Sequence, residues 1–223
     1  VRAGALGLVS KCFTGFLFDL DGTVIDTTEL ISRSFRHASR VILGKELPDQ
    51  VLMANVGQPL MQQMKVLGGE RAQEWYDVYR EYNHSRHDEF IRPYEGVEEL
   101  LRELRERGAG LAVVTSKSRE TVEMAFRCIP IESCFDTVVT ADDTERHKPH
   151  PQPLQLAMRR LDLAPDESVY IGDSPHDIEA GHNAGVATAA VGWGIFPPVR
   201  LKEMEPDFYF ESPDEILGLC PGD

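Results

Sequence analysis

The hydrophobic positions of this chain fall into two rhythms. From Tyr94 onward, short unbroken apolar runs alternate with stretches whose apolar residues recur every three or four positions. A helix is predicted over 95–107, stopped by Gly108, and is followed by the run Leu111-Ala112-Val113-Val114. The unit recurs as a helix over 119–127 before Thr137-Val138-Val139, a helix over 153–161 before Val169-Tyr170-Ile171, and a helix over 178–184 before a strand over 188–191. Phe16-Leu17-Phe18 adds a strand at the front of the series. Strands apolar on both faces need helices on both faces, so the pattern predicts an α/β fold with a doubly wound parallel sheet. In such sheets ligands bind beyond the carboxyl ends of the strands.

Between Thr28 and Arg92 the rhythm is helical throughout. Leu30, Ile31, Phe35, Ala38, Val41 and Ile42 mark a helix over 29–43 that Thr28 can cap, and Gly44 and Pro48 punctuate its end. Further helices are predicted over 50–54, 60–67 and 72–87, the last carrying Trp75, Tyr76, Val78, Tyr79 and Tyr82 as a packing stripe. The division that follows is a core made of 1–26 and 93–223, with a small all-helical cap over 27–92 inserted after the first strand.

Composition narrows the function. The 223 residues, 42% hydrophobic, suffice for one sizeable domain with an insert. A formal charge of −14 repels phosphate backbones and argues against nucleic acid as a partner. Small ligands fit better, and an acidic protein that handles anions must gather positive charge locally. Cys12, Cys128, Cys134 and Cys220 form no Cys-x-x-Cys pair and read as reduced, buried thiols, which places the chain in the cytoplasm. The opening stretch over 1–9 is only weakly apolar and lacks a signal-peptide core, and no run is long enough to span a membrane. A monomer and a homodimer are both compatible with the sequence.

The chemistry sits at predicted strand ends. The first strand leads into Asp19-Leu20-Asp21-Gly22-Thr23, where two carboxylates one residue apart require a cation or a shared proton. A calcium loop is excluded, because its twelfth position counted from Asp19 is Leu30 rather than Glu. The strand ending at Val114 leads into Thr115 and Ser116, which on their own can simply cap the next helix. Lys148 lies in the Pro-punctuated loop before the 153–161 helix, and Ile171 leads into Gly172-Asp173-Ser174-Pro175-His176-Asp177. Isolated, Lys148 reads as a surface lysine and Asp177 as an acid favoured by a helix N-terminus. In this order, at these strand ends, they read as one site.

These motifs resemble those of the haloacid dehalogenase-like superfamily, and the likeness covers essentially the whole chain. It implies Asp19 as nucleophile forming an aspartyl-phosphate and Asp21 as acid and base. It further implies Thr115, Ser116 and Lys148 as phosphoryl-binding groups, and Mg2+ held by Asp19, Asp173 and the backbone carbonyl of Asp21, with Asp177 orienting a metal-bound water. An acid at Asp21 favours phosphoryl transfer over dehalogenation, because the dehalogenase branch lacks one there. The helical insert looks like the cap of phosphoglycolate-phosphatase-like members, with Gln58 in the loop that reaches the substrate. Thr27, Glu29, Arg33 and Lys65 are further candidate contacts, while His84 and His87 on a polar helix read as solvated.

The resemblance implies an Mg2+-dependent hydrolase of a small phosphorylated metabolite. The spelling of Tyr79-Arg80-Glu81-Tyr82-Asn83-His84, Asp136-Thr137-Val138-Val139 and Glu205-Pro206-Asp207-Phe208 is similar to the bacterial pyrophosphatase branch. Inorganic pyrophosphate and 2-phosphoglycolate are the expected substrates. A sugar-phosphate phosphatase, a β-phosphoglucomutase and a phosphate-sensing scaffold without activity are the alternatives.

Overall fold

A computed structural model describes residues 12–220; the stretch over 1–9 lies outside them. Strands β1 (Gly15–Phe18), β4 (Gly110–Val114), β5 (Thr137–Val139), β6 (Ser168–Gly172), β7 (Ala187–Val191) and β8 (Phe208–Phe210) form one six-stranded sheet in the order β5-β4-β1-β6-β7-β8. Every pairing in it is parallel. Helices α5 (Val97–Glu106), α6 (Arg119–Cys128), α7 (Gln152–Leu161), α8 (Pro175–Ala184) and the short α9 (Pro198–Lys202) make the crossovers. The period-two alternation of the strand side chains divides the core between two faces. Phe16, Phe18, Leu111, Val113, Val169 and Ile171 pack on one side, with α5 and α6. Leu17, Ala112, Val114 and Tyr170 pack on the other, with α7 and α8.

The helical insert is α1 (Thr28–Leu43), α2 (Asp49–Leu52), α3 (Leu60–Gly68) and α4 (Ala72–Phe90). It has a core of its own, in which Phe35, Met64, Trp75 and Tyr79 are buried and the Phe35 and Tyr79 rings meet edge to face at 4.7 Å. Full burial of each such side chain contributes about 1.5–3 kcal/mol to holding the helices of the insert together. Two strands absent from the sequence reading tie it to the core: β2 (Ile25–Asp26) and β3 (Arg92–Pro93) pair antiparallel where the chain leaves and re-enters. Two residues, one of them proline, carry no alternation to read. β8 escaped the reading similarly, being an edge strand of three half-buried aromatics and hence no apolar run.

The start of α1 differs from expectation. Thr28 is the first helical residue, and its N–H donates to the Asp26 carboxylate at 2.9 Å. Thr27, at the N-cap, spends its hydroxyl on Asp21 instead. The expected α2 and α4 shift by a few residues, α4 running on to Phe90. Among the described residues no helix is long and apolar enough to cross a membrane. Cys128 and Cys134 remain separate thiols; of the four cysteines expected to be buried only Cys220 is, Cys134 being half-buried and Cys12 and Cys128 exposed.

Candidate active site

The carboxyl ends of β1, β4 and β6 lie side by side because β1 pairs with both of the others. That register brings the expected residues together at the floor of a cavity of about 300 Å³. Asp19 follows β1, Asp173 follows β6, and Asp177 sits in the first turn of α8; one carboxylate oxygen from each lies within 4.8 Å of the others, and all three residues are buried. The lysine expected to join them does so. Lys148 is 2% exposed, and its ammonium donates to Asp19 Oδ1 at 2.9 Å, Asp177 Oδ1 at 2.6 Å and the Tyr170 hydroxyl at 3.0 Å. Three N–H donors thus meet three acceptors. Burial by itself would push the ammonium down, but Asp177 and Asp19 outweigh it and hold the lysine above its usual range.

The acids remain electrostatically crowded. Burial pushes Asp19 up to about 7 against the pull of Lys148, with the Asp177 charge adding to the rise. Asp173 stands well above the carboxylate range through burial and the charges of Asp177 and Asp19; the Ile195 N–H, at 2.6 Å, only partly offsets this. Three buried acids beside a single lysine make a donor set short of positive charge, and a hard divalent cation would supply it. Space is kept beside them by two glycines. A Cβ on Gly22, whose φ is +76°, or on Gly194 would collide with the Asp173 carboxylate. These residues fit magnesium.

The Asp177 carboxylate is held from both sides. Oδ1 takes Lys148 and lies 2.9 Å from the Tyr170 hydroxyl, while Oδ2 takes the Ser174 N–H at 3.0 Å and hydroxyl at 2.6 Å in a capping box. It thereby fixes Lys148 beside Asp19. The Asp21 carboxylate is apart from the other three. Its Oδ1 accepts from the Thr27 hydroxyl at 2.7 Å and from Lys117 Nζ at 2.6 Å. Lys117 went unread, although it stands two residues beyond Thr115 on the same strand end.

Thr115 lines the cavity, and its hydroxyl accepts the Lys117 N–H at 3.2 Å. The Ser116 hydroxyl donates to the Gly57 carbonyl at 2.7 Å and so joins core to insert. Gln58 lines the cavity as expected. Glu29 and Arg33 instead form an exposed ion pair of 2.7 Å with each other, and Lys65 is exposed. The insert faces the cavity with Phe35, Tyr76, Tyr79, Arg80, Asn83 and His84. The solvated reading of the two histidines is therefore corrected. His84 is a cavity wall, with burial and the Arg80 charge holding its imidazole below the usual range, and His87 is 1% exposed between helices. Arg80 was missed because a helix of many polar residues does not announce which of them turn inward.

A parallel sheet whose carboxyl edge gathers buried acids around one lysine, under a helical insert, defines a capped α/β enzyme of the phosphoryl-transfer type. The haloacid dehalogenase-like hydrolase family model matches residues 16–191, and the chain belongs to that family. It is 40% identical over 212 residues to pyrophosphatase PpaX of Bacillus velezensis, covering 95% of this chain and 98% of the relative. PpaX of Bacillus cereus strain G9842 is 40% identical over 203 residues, 91% of this chain and 94% of the relative. Among solved structures, a predicted phosphoglycolate phosphatase from Haemophilus somnus superposes with a TM-score of 0.82 at 25% identity, covering 95% and 98% of the two chains. A predicted phosphatase from Clostridium acetobutylicum gives 0.81 at 26%, covering 92% and 96%.

Proposed function

We propose that this phosphohydrolase cleaves inorganic pyrophosphate through an aspartyl-phosphate on Asp19. The observation that carries the reading is the two-sided charge of the cavity. Its floor presents Asp19, backed by the buried Lys148, and its walls add Lys117, Arg80 and His84. The His84 Nε2 atom is buried without a hydrogen-bond partner among the described residues, a cost that a phosphate oxygen would relieve. A second phosphoryl group gives the Lys117 and Arg80 charges and the unpartnered His84 nitrogen a purpose that a neutral leaving group does not. The 40% identity to two PpaX pyrophosphatases points the same way.

In this reading Asp19 attacks phosphorus and the P–O bond to the leaving phosphate breaks. Asp21, oriented by Thr27 and Lys117, gives that oxygen its proton and later takes one from the water that hydrolyses the aspartyl-phosphate. Thr115 and Ser116 position the transferring oxygens, and Lys148 neutralises charge shared between Asp19 and the phosphoryl group. Asp19, Asp173 and the Asp21 carbonyl would hold Mg2+, which supplies further positive charge against the phosphoryl oxygens. The insert excludes water and seats the leaving group.

The test is phosphate release from pyrophosphate, 2-phosphoglycolate and a hexose phosphate, each with and without Mg2+. Pyrophosphate is expected to show the highest kcat/KM, and only with the metal. Faster turnover of 2-phosphoglycolate overturns the substrate while leaving the mechanism standing. Isomerisation of the hexose phosphate without phosphate release would sink hydrolysis itself.

A further inference from the structure

At the far end of α4 from the insert's tip, a second group of metal-ligating atoms lies outside the cavity. His87 and Asp88 come from the last turn of α4, immediately before β3, and Cys128 is the last residue of α6 in the core. The His87 Nδ1 and Asp88 Oδ1 atoms are 2.9 Å apart, Cys128 Sγ is 3.0 Å from Asp88 Oδ1, and Sγ is 4.0 Å from Nδ1. Tetrahedral zinc, with bonds of about 2.0–2.3 Å, sets its ligand atoms roughly 3.3–3.6 Å apart. The observed triangle needs only side-chain adjustments of a few tenths of an ångström to enclose such an ion. Imidazole nitrogen, thiolate and carboxylate together select a thiophilic divalent ion over magnesium.

The surroundings favour a cation as well. Both helices end here, so the carbonyl ends of two helix dipoles converge on the group. Arg127 is the neighbouring positive charge that opposes them. His87 is buried, which fixes its ring, while Asp88 and Cys128 are exposed and leave the ion a way in. None of the three residues lines the catalytic cavity.

We propose that His87, Asp88 and Cys128 form a second metal site, for a zinc-like thiophilic cation, which clamps the helical insert to the core beside its hinge. Binding replaces the Cys128 S–H bond by an S–metal bond and releases that proton to solvent, while the His87 ring proton moves from Nδ1, where it faces Asp88, to Nε2. No electron changes hands. The fourth coordination position is open to water. Because the ligands come from α4 on one side and α6 on the other, an occupied site resists the separation of insert and core that substrate entry requires.

Cobalt(II) is the probe, since the catalytic acids offer no sulfur and a thiolate-to-cobalt charge-transfer band that Cys128→Ser abolishes reports this site rather than Cys12, Cys134 or Cys220. Titrating the full chain in saturating Mg2+ is expected to raise the band to one equivalent, and Zn2+ is expected to displace it. Cys128→Ser removes the band, and Asp88→Asn weakens cobalt binding by about tenfold or more. Both substitutions are at exposed positions, and unchanged Mg2+-dependent turnover without added cobalt or zinc confirms that the variants fold. Absence of the band overturns the site, as does its persistence in Cys128→Ser or an unchanged affinity in Asp88→Asn. One equivalent of Zn2+ should lower kcat several-fold in the parent and leave Cys128→Ser unaffected; equal inhibition of the two overturns the clamp. The spectroscopic arm does not depend on which phosphate ester the enzyme cleaves.

Discussion

The floor and the roof of the cavity are built on opposite principles. On the floor Asp19, Asp173, Asp177 and Lys148 are buried and tied to several elements: Lys148 alone joins Asp19, Asp177 and Tyr170. On the roof, Arg80 pairs with Glu120 of the core through side chains that are 38% and 57% exposed. Direct side-chain bonds from insert to core near the cavity are few, Ser116 to Gly57 among them, and the covalent connection passes through two strands of two residues each. A buried network cannot shift without stranding charge, whereas an exposed pair exchanges with water at little cost. The acids are therefore anchored to the sheet, while the insert meets the core through exposed and exchangeable bonds.

Substitutions that strike one side separate these roles. The largest effect is expected from Asp19→Asn, which removes the proposed nucleophile and should lower kcat for every substrate by about 10³-fold or more. Phosphate release in a stopped assay checks it, and retained turnover would move the nucleophile elsewhere. Lys148→Met leaves Asp19 and Asp177 facing each other without a cation, at a cost to folding of about 3–5 kcal/mol. Urea unfolding measures this; a loss no larger than the ~1 kcal/mol typical of an exposed pair would erase the contrast between floor and roof.

Arg80→Ala tests the roof. It should reduce kcat/KM for pyrophosphate by about tenfold, as loss of one charge-assisted hydrogen bond would, while p-nitrophenyl phosphate changes little. Equal losses on both substrates would show that the insert does not discriminate leaving groups. The smallest effect belongs to a network of the core surface, away from both. Burial alone would raise Asp143, but the Thr140 N–H and hydroxyl, Arg160 and Arg119 bring it down from 3.8 to about 2. A carboxylate depressed on folding stabilises above its unfolded value and loses that stability as pH falls through the folded one. Thermal midpoints should therefore drop between about pH 4 and pH 2, and Asp143→Asn should flatten that part of the curve.

Much of the floor was readable because Asp19, Thr115 and Asp173 stand at the ends of apolar runs. Asp19, Thr115 and Asp173 are adjacent in space since their strands are adjacent, and parallel strands align their ends. The supports were not readable. Tyr170 looks like one more apolar strand residue, yet its hydroxyl meets both Lys148 and Asp177. Trp193 and Ile195 follow β7 without any motif, but the Trp193 indole N–H reaches the Thr23 carbonyl at 3.1 Å and the Ile195 N–H reaches Asp173. The same loop touches the core of the insert through Ile195 and Phe196, linking the acids to the roof.

The sequence by itself determined the layered α/β architecture, the helical insert and the acids with their lysine, because hydrophobic period and strand-end polarity are local properties. Tertiary structure alone decided which polar residues act together. Lys117 meets Asp21 across 96 residues, Arg80 meets Glu120 across 40, and His87 meets Cys128 across 41. No periodicity encodes such distances. They follow from how α4 lies against α6 and how β4 lies against β1, and those placements are set by the packing of whole faces rather than by any one residue.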